Sequence, residues 1–306
     1  MNSMVKRTIT GIVMAGFLFL IIWLTNFSHF IFDAFVFIVG VIATYEIFRA
    51  VNPKTVEESA YPELGERKTY KISLVSLIVM LVSVYPLCYF FNYVGLFFAF
   101  LISLIVAFVI FIFDSNKSFN DFAVNVVCII YPMLLLSITF ILNKNYGMIP
   151  VLLAIGISTV SDATAYFVGS AIGKKKIFPK ISPKKTYAGC IGGVIGGGVG
   201  GIIVYLLFEL AHFPTHIIFT FMDAYNGNIA LTIVTYFAIG MIMAVFSEIG
   251  DLAASRIKRQ VGIKDYGKIL GSHGGIMDRI DSILFSIAAM GVIMELITFI
   301  QGLMNK

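Results

Sequence analysis

The residues equipped to act on phosphate are gathered between Ser247 and Asp281. At helical spacing Ser247, Asp251, Ser255 and Lys258 fall at i, i+4, i+8 and i+11 and share one face. That face sets a carboxylate at the end of an apolar run and a cation about two turns beyond it. Val261 to Met277 is rich in glycine and polar residues, which reads as a loop, and Asp278-Arg279-Ile280-Asp281 then leads into the last apolar run. Asp251, Asp278 and Asp281 are thus interleaved with Lys258, Arg259, Lys264, Lys268, Arg279 and His273. Such a set suits Mg²⁺ bridging phosphates, because the ion takes one or two carboxylates and completes its shell with phosphate oxygens and water. The cations can neutralise charge that spreads over phosphate oxygens during transfer. Gly274-Gly275 would let backbone amides approach an anion closely. Residue types alone leave a choice between metal-assisted phosphoryl or nucleotidyl chemistry and anion transport at a membrane interface.

The elements that must position these groups are membrane helices. The chain has 306 residues, 59% hydrophobic and 13% charged, with a mean hydropathy of +0.94. A soluble domain of this size carries roughly twice that charged fraction. Apolar runs of about 20 residues match a hydrocarbon core of about 30 Å. Nine spans are expected, at about 8–25, 28–48, 72–91, 93–113, 122–142, 149–171, 188–210, 230–254 and 282–302. The first follows Lys6 and Arg7 as a signal peptide would, but no small-residue cleavage pattern follows, so it reads as a retained anchor. With the N-terminus cytosolic and the C-terminus outside, all but Lys144 and Lys306 of the 22 lysines and arginines lie on the inner side. This asymmetry is the one that positive-inside insertion produces. The fold class is therefore all-α and polytopic. Residues 1–145 form an N-terminal scaffold of about five spans, and 146–306 a C-terminal catalytic domain of about four spans with cytosolic loops 173–187 and 255–281.

Charge and cysteine usage narrow the partners. The net charge of +5 is accounted for by topology and by contact with anionic membrane lipids, and calls for no nucleic acid. Cys88, Cys128 and Cys190 are isolated in apolar segments, with no zinc or disulfide pattern, and read as packing groups. In the N-terminal half Asp33, Glu46, Asp114 and Asp121 lie near span ends and read as solvated at the interface. In the C-terminal half Asp162, Glu248 and Asp251 fall within or at the ends of apolar runs, where an ionisable group is functional by default. Two apparent nucleotide motifs are rejected. Gly196–Gly201 satisfies GxGxxG, but inside a long apolar span with no preceding strand. Its glycines instead permit close helix–helix approach, or backbone approach to a headgroup. Gly169 to Lys174 is one residue short of a P-loop and lacks the following Ser or Thr.

The spacing carries more than the residue types. Ser255-x-Ile257-Lys258-Arg259-x4-Lys264-Asp265-x-Gly267-x2-Leu270-Gly271-x-His273-Gly274-Gly275-Ile276-x-Asp278-Arg279-Ile280-Asp281 resembles the signature of the phosphatidate cytidylyltransferase (CDP-diacylglycerol synthase) family at every fixed position. Asp162-x2-Ala165-Tyr166-x2-Gly169, Ser182-Pro183-x-Lys185-Thr186-x2-Gly189 and Gly250-Asp251-Leu252 resemble preceding blocks of the same family. The likeness covers about residues 155–285, and Gly271-Ser272 departs from the Pro-Gly that many members carry before His-Gly-Gly. The resemblance implies transfer of CMP from CTP to phosphatidate, giving CDP-diacylglycerol and pyrophosphate at the cytosolic face of the cell membrane. It implies that Asp251 and Asp278 bind Mg²⁺, with a second cation such as K⁺, and that Asp281 supports them. Lys258, Arg259, Lys264 and Arg279 would meet the triphosphate. Ser182, Lys185 and Thr186 would contact phosphate of either substrate. Asp162, Tyr166, His273, Gly274 and Gly275 would complete the substrate pocket. The glycine-rich and aromatic spans are compatible with a homodimer. A transporter would carry acids in both halves as inverted repeats, whereas here they concentrate in the C-terminal half.

Overall fold

A computed structural model describes residues 3–53, 59–61, 66–179, 181–271 and 274–304 of the chain. The elements run α1 (Ser3–Leu24), α2 (His29–Val51), α3 (Leu74–Phe113), α4 (Phe119–Ile129), a π-helical turn (Ile130–Leu134), α5 (Leu135–Tyr146) and α6 (Met148–Ile172). There follow β1 (Lys176–Phe178), β2 (Ser182–Thr186), α7 (Tyr187–Val204), a second π turn (Tyr205–Leu210), α8 (Phe221–Ala224), α9 (Ile229–Val261) and α10 (Met277–Met304). Among the described residues seven helices are long and apolar enough to cross a bilayer. Leu74–Phe113 has 40 residues, about 60 Å of helix and twice the hydrocarbon thickness. It breaks at Asn92 (φ 50°, ψ −131°), between the two apolar stretches read from the sequence. Every apolar stretch read from the sequence falls on helix, so the protein is an all-α polytopic membrane protein. The segment read as a loop at 173–187 contains a departure from pure helix: β1 and β2 pair antiparallel, with Lys176 opposite Thr186.

The chain forms two compact units. The first comprises Met1–Phe140, Pro214–His216 and Val261–Arg279. In it α2 packs on α3 and on the first π turn around Phe32, Val36, Ala43, Ile47, Leu77 and Met80. The chain before α3 runs along the end of α9: Ala60 N–H donates to the Gly262 carbonyl (2.9 Å) and Lys68 N–H to that of Val261 (3.2 Å). Here the reading of Asp33, Glu46 and Asp121 as solvated is corrected, since they are 2%, 3% and 8% exposed. Each is buried against donors. The Tyr85 hydroxyl donates to Asp33 (3.2 Å), Asp121 closes a capping box with Ser118 and accepts from Lys71 N–H (2.7 Å), and Glu46 lies under the glycine-rich loop.

The second unit comprises Ile141–Phe213, Ile217–Gln260 and Ile280–Lys306. Its centre is the contact of α6 with α7, the most extensive between any two helices. The glycine stretch makes that contact possible, and with it the close approach of α9 to α7. A methyl at Gly196 would overlap Thr164, one at Gly201 the Tyr236 carbonyl, and one at Gly240 the Gly197 carbonyl. The GxGxxG pattern is therefore a helix-packing surface within α7, as its apolar setting predicted.

Candidate active site

In the second unit four elements bring charged groups together. The β1–β2 hairpin carries Lys185 toward α9, where its Nζ stands 2.8 Å from Asp251 Oδ2 and 3.4 Å from the Glu248 carbonyl. Burial opposes the charge on Lys185, but the Asp251 carboxylate outweighs it, and Glu248 and Asp162 add to the effect. The ammonium pKa is therefore raised above its ordinary value. On α6, Asp162 accepts from the Ser282 hydroxyl of α10 (3.2 Å). On α9, Lys258 Nζ lies 3.8 Å from Asp281 Oδ2, and Asp281 also accepts from Ser282 N–H (2.9 Å). Helices α9 and α10 can approach so closely because residue 250 is glycine: a Cβ there would stand 2.7 Å from the Asp281 carbonyl.

The same unit holds buried oxygens that no described residue satisfies: Ser161 Oγ, Ser247 Oγ and Glu248 Oε1. Gly193 packs against Glu248 and Ser161. Carboxylate and hydroxyl oxygens of this kind suit a hard cation such as Mg²⁺. Among the described residues no three His, Cys, Asp or Glu side chains gather as a closed metal cage. Mg²⁺ does not require one, since it retains water and substrate oxygens.

In the first unit the glycine-rich loop before α10 wraps a different carboxylate. Asp278 is 9% exposed, and its Oδ2 accepts from Tyr266 N–H (2.8 Å) and Gly275 N–H (3.0 Å). Gly274 has φ 79° with its Cα beside Asp278, a conformation that strongly favours glycine. Helix α10 therefore begins at Met277, so Asp278 occupies its first turn, ahead of the apolar stretch read at 282–302.

The remaining expected residues are placed variously. Lys264 and Arg279 are exposed, and Arg259 and Ser182 are half-buried. Tyr166 is 69% exposed and meets Phe167 edge-on. Thr186 is buried, and its Oγ1 accepts from Gly189 N–H (3.1 Å) to cap α7, so this oxygen already has a structural use. Gly275 is buried with its N–H on Asp278. His273 lies outside the described residues. Sequence reading missed Glu46 and Ser282. Glu46 carries no local signal, and the signal for Ser282 was only its position beside Asp281.

The model of a family described as the cytidylyltransferase family matches residues 5–297. A phosphatidate cytidylyltransferase of Bacillus subtilis is 35% identical over 46% of this chain and 45% of its own length. Those of Staphylococcus haemolyticus and Staphylococcus saprophyticus are 32% and 33% identical, over 51% and 50% of this chain and 52% and 51% of their own. The chain thus spans about half the length of the curated relatives it matches.

Proposed function

Since the chain belongs to the cytidylyltransferase family, we propose that it is a phosphatidate cytidylyltransferase acting at the cytosolic face of the cell membrane. The observation that carries this reading is the spacing of Ser255 to Asp281 on α9, the glycine loop and α10. A phosphate oxygen of phosphatidate forms a bond to the α-phosphorus of CTP, the bond from that phosphorus to the bridging oxygen breaks, and pyrophosphate leaves. Phosphatidate is already anionic near neutral pH, so no dedicated base is required. Positioning and charge stabilisation supply the rate.

Asp251 and Asp278 would hold Mg²⁺, and a second cation such as K⁺ belongs to the same reading. When bound, Mg²⁺ neutralises charge on the phosphates and orients them. Asp281, on α10, keeps Lys258 of α9 close. Lys258, Arg259, Lys264 and Arg279 serve the triphosphate. Lys185 is held charged by Asp251 and is available to a phosphate when the carboxylate turns to a metal. Residues 1–145 act as scaffold and 146–306 carry the chemistry, with the N-terminus inside and the C-terminus outside.

The test is a detergent assay with labelled CTP, phosphatidate and Mg²⁺. CDP-diacylglycerol should form; reaction with other nucleotides or lipids in its place would overturn the substrate assignment. For orientation, Thr220→Cys should react with an impermeant thiol reagent in intact cells. Protection at that site would reverse the topology.

A further inference from the structure

We propose that Glu46 is a positioning residue for this transfer: from α2 it clamps the glycine loop and holds the first turn of α10, which carries Asp278. The inference rests on the reading above and adds a residue that it does not use. Glu46 is 3% exposed, yet no Lys or Arg accounts for its burial in any ion pair found among the described residues. Its hydrogen-bond partner is a main-chain group 231 positions away: the Met277 N–H donates to Oε2 at 2.8 Å, while Oε1 is buried with no hydrogen bond from any described residue. Met277 is the first residue of α10, whose leading N–H groups have no partner within the helix. A carboxylate there also faces the positive end of the helix dipole. Glu46 thus supplies from a distant helix the cap that local sequence usually provides.

The loop is shaped around this carboxylate. A methyl at Gly267 or at Gly275 would overlap the Glu46 oxygens, and for both glycines the three nearest atoms to such a methyl all belong to Glu46. The two ends of the same loop, Tyr266 and Gly275, donate their N–H groups to Asp278. One loop is therefore gripped by two carboxylates. Glu46 holds it to α2, and Asp278 is oriented by it. Removing Glu46 leaves the buried Met277 N–H without this acceptor and frees the loop that orients Asp278.

The test uses the full chain purified in detergent, as wild type, Glu46→Gln, Glu46→Ala, Gly267→Ala and the double variant Glu46→Ala/Gly267→Ala. Monodispersity is checked for each. In Glu46→Ala, kcat should fall about 100-fold, the cost of misplacing a reacting group by about 1 Å, while KM for CTP and phosphatidate stays within about threefold. Glu46→Gln keeps one acceptor and should lose only about tenfold. Gly267→Ala should lose activity on its own, but less than about twofold more in the Glu46→Ala background, because the group it collides with is gone. Amide hydrogen exchange over residues 266–279 should rise in Glu46→Ala with other peptides unchanged. A folded Glu46→Ala enzyme with kcat within about threefold of wild type would overturn the proposal, as would full additivity with Gly267→Ala. If the wild type makes no CDP-diacylglycerol, the reading of the reaction fails, and the exchange data still decide whether the clamp exists.

Discussion

In the first unit Glu46 and Asp278 are held by main-chain N–H groups of residues 266 to 277, whereas in the second Asp251 and Asp281 face the ammonium groups of Lys185 and Lys258. Both arrangements satisfy a carboxylate, but they differ in what can move. A main-chain donor cannot leave without reshaping its loop, so Asp278 is fixed in direction. An ammonium on a four-carbon stem can swing away at the cost of rotamer freedom and leave the carboxylate open to another cation. The first kind of site suits a group that must not shift during turnover. The second suits groups that exchange partners when a charged ligand binds.

This contrast can be broken most severely at Asp278. Asp278→Asn keeps an acceptor for the loop and removes the charge, so CMP transfer should fall on the order of 10³-fold or more with the protein still monodisperse. Near-normal kcat would remove Asp278 from the proposed metal site and the contrast with it. A smaller effect is expected at the ion pair. Lys185→Met leaves Asp251 without its cation, and the loss of stability in thermal unfolding should be about 1–3 kcal/mol. Adding Asp251→Asn to that chain should recover at least half of the loss; simple additivity would mean the two side chains do not act as a pair.

The packing that delivers those side chains gives a third comparison. Gly201→Ala would push a methyl into the Tyr236 carbonyl and should cost about 1–3 kcal/mol. Gly11→Ala, at a position with nothing within 4 Å, should cost nothing measurable. Equal melting temperatures for the two variants would contradict the close contact of α7 with α9. The smallest expected effect is with pH. The folded pKa of Lys185 lies above 10.5, so its ion-pair stabilisation is fully present below that value and is lost only as pH rises through the folded pKa. The difference in melting temperature between wild type and Lys185→Met should therefore stay constant from about pH 7 to about pH 9. A narrowing gap in that window would show that Asp251 does not hold the ammonium.

Membrane embedding was legible because burial of apolar runs in lipid needs only composition and length, and each expected stretch falls on helix. The family was legible because the fixed positions from Ser255 to Asp281 extend over a long spacing. For Thr186 the resemblance implies a phosphate contact, and the fold also uses its Oγ1 to accept from Gly189 N–H and cap α7. Glu46 is a reading that the structure corrects. Its position near a span end indicated water, but a loop from more than 200 residues later covers it. Depth in the membrane can be counted along a chain; what folds back over a residue cannot.

By itself the sequence determined that this chain crosses a membrane many times as helices and that the residues of the family signature cluster in the C-terminal half. Those properties depend on hydrophobicity and on local spacing, which act within about 20 residues. The tertiary structure decided that Lys185 faces Asp251, that Lys258 faces Asp281, and that the glycine loop closes on Glu46 and Asp278. Those pairings join residues from 3 to 231 positions apart, and most become possible only where glycine lets helices and loops approach within a methyl's width.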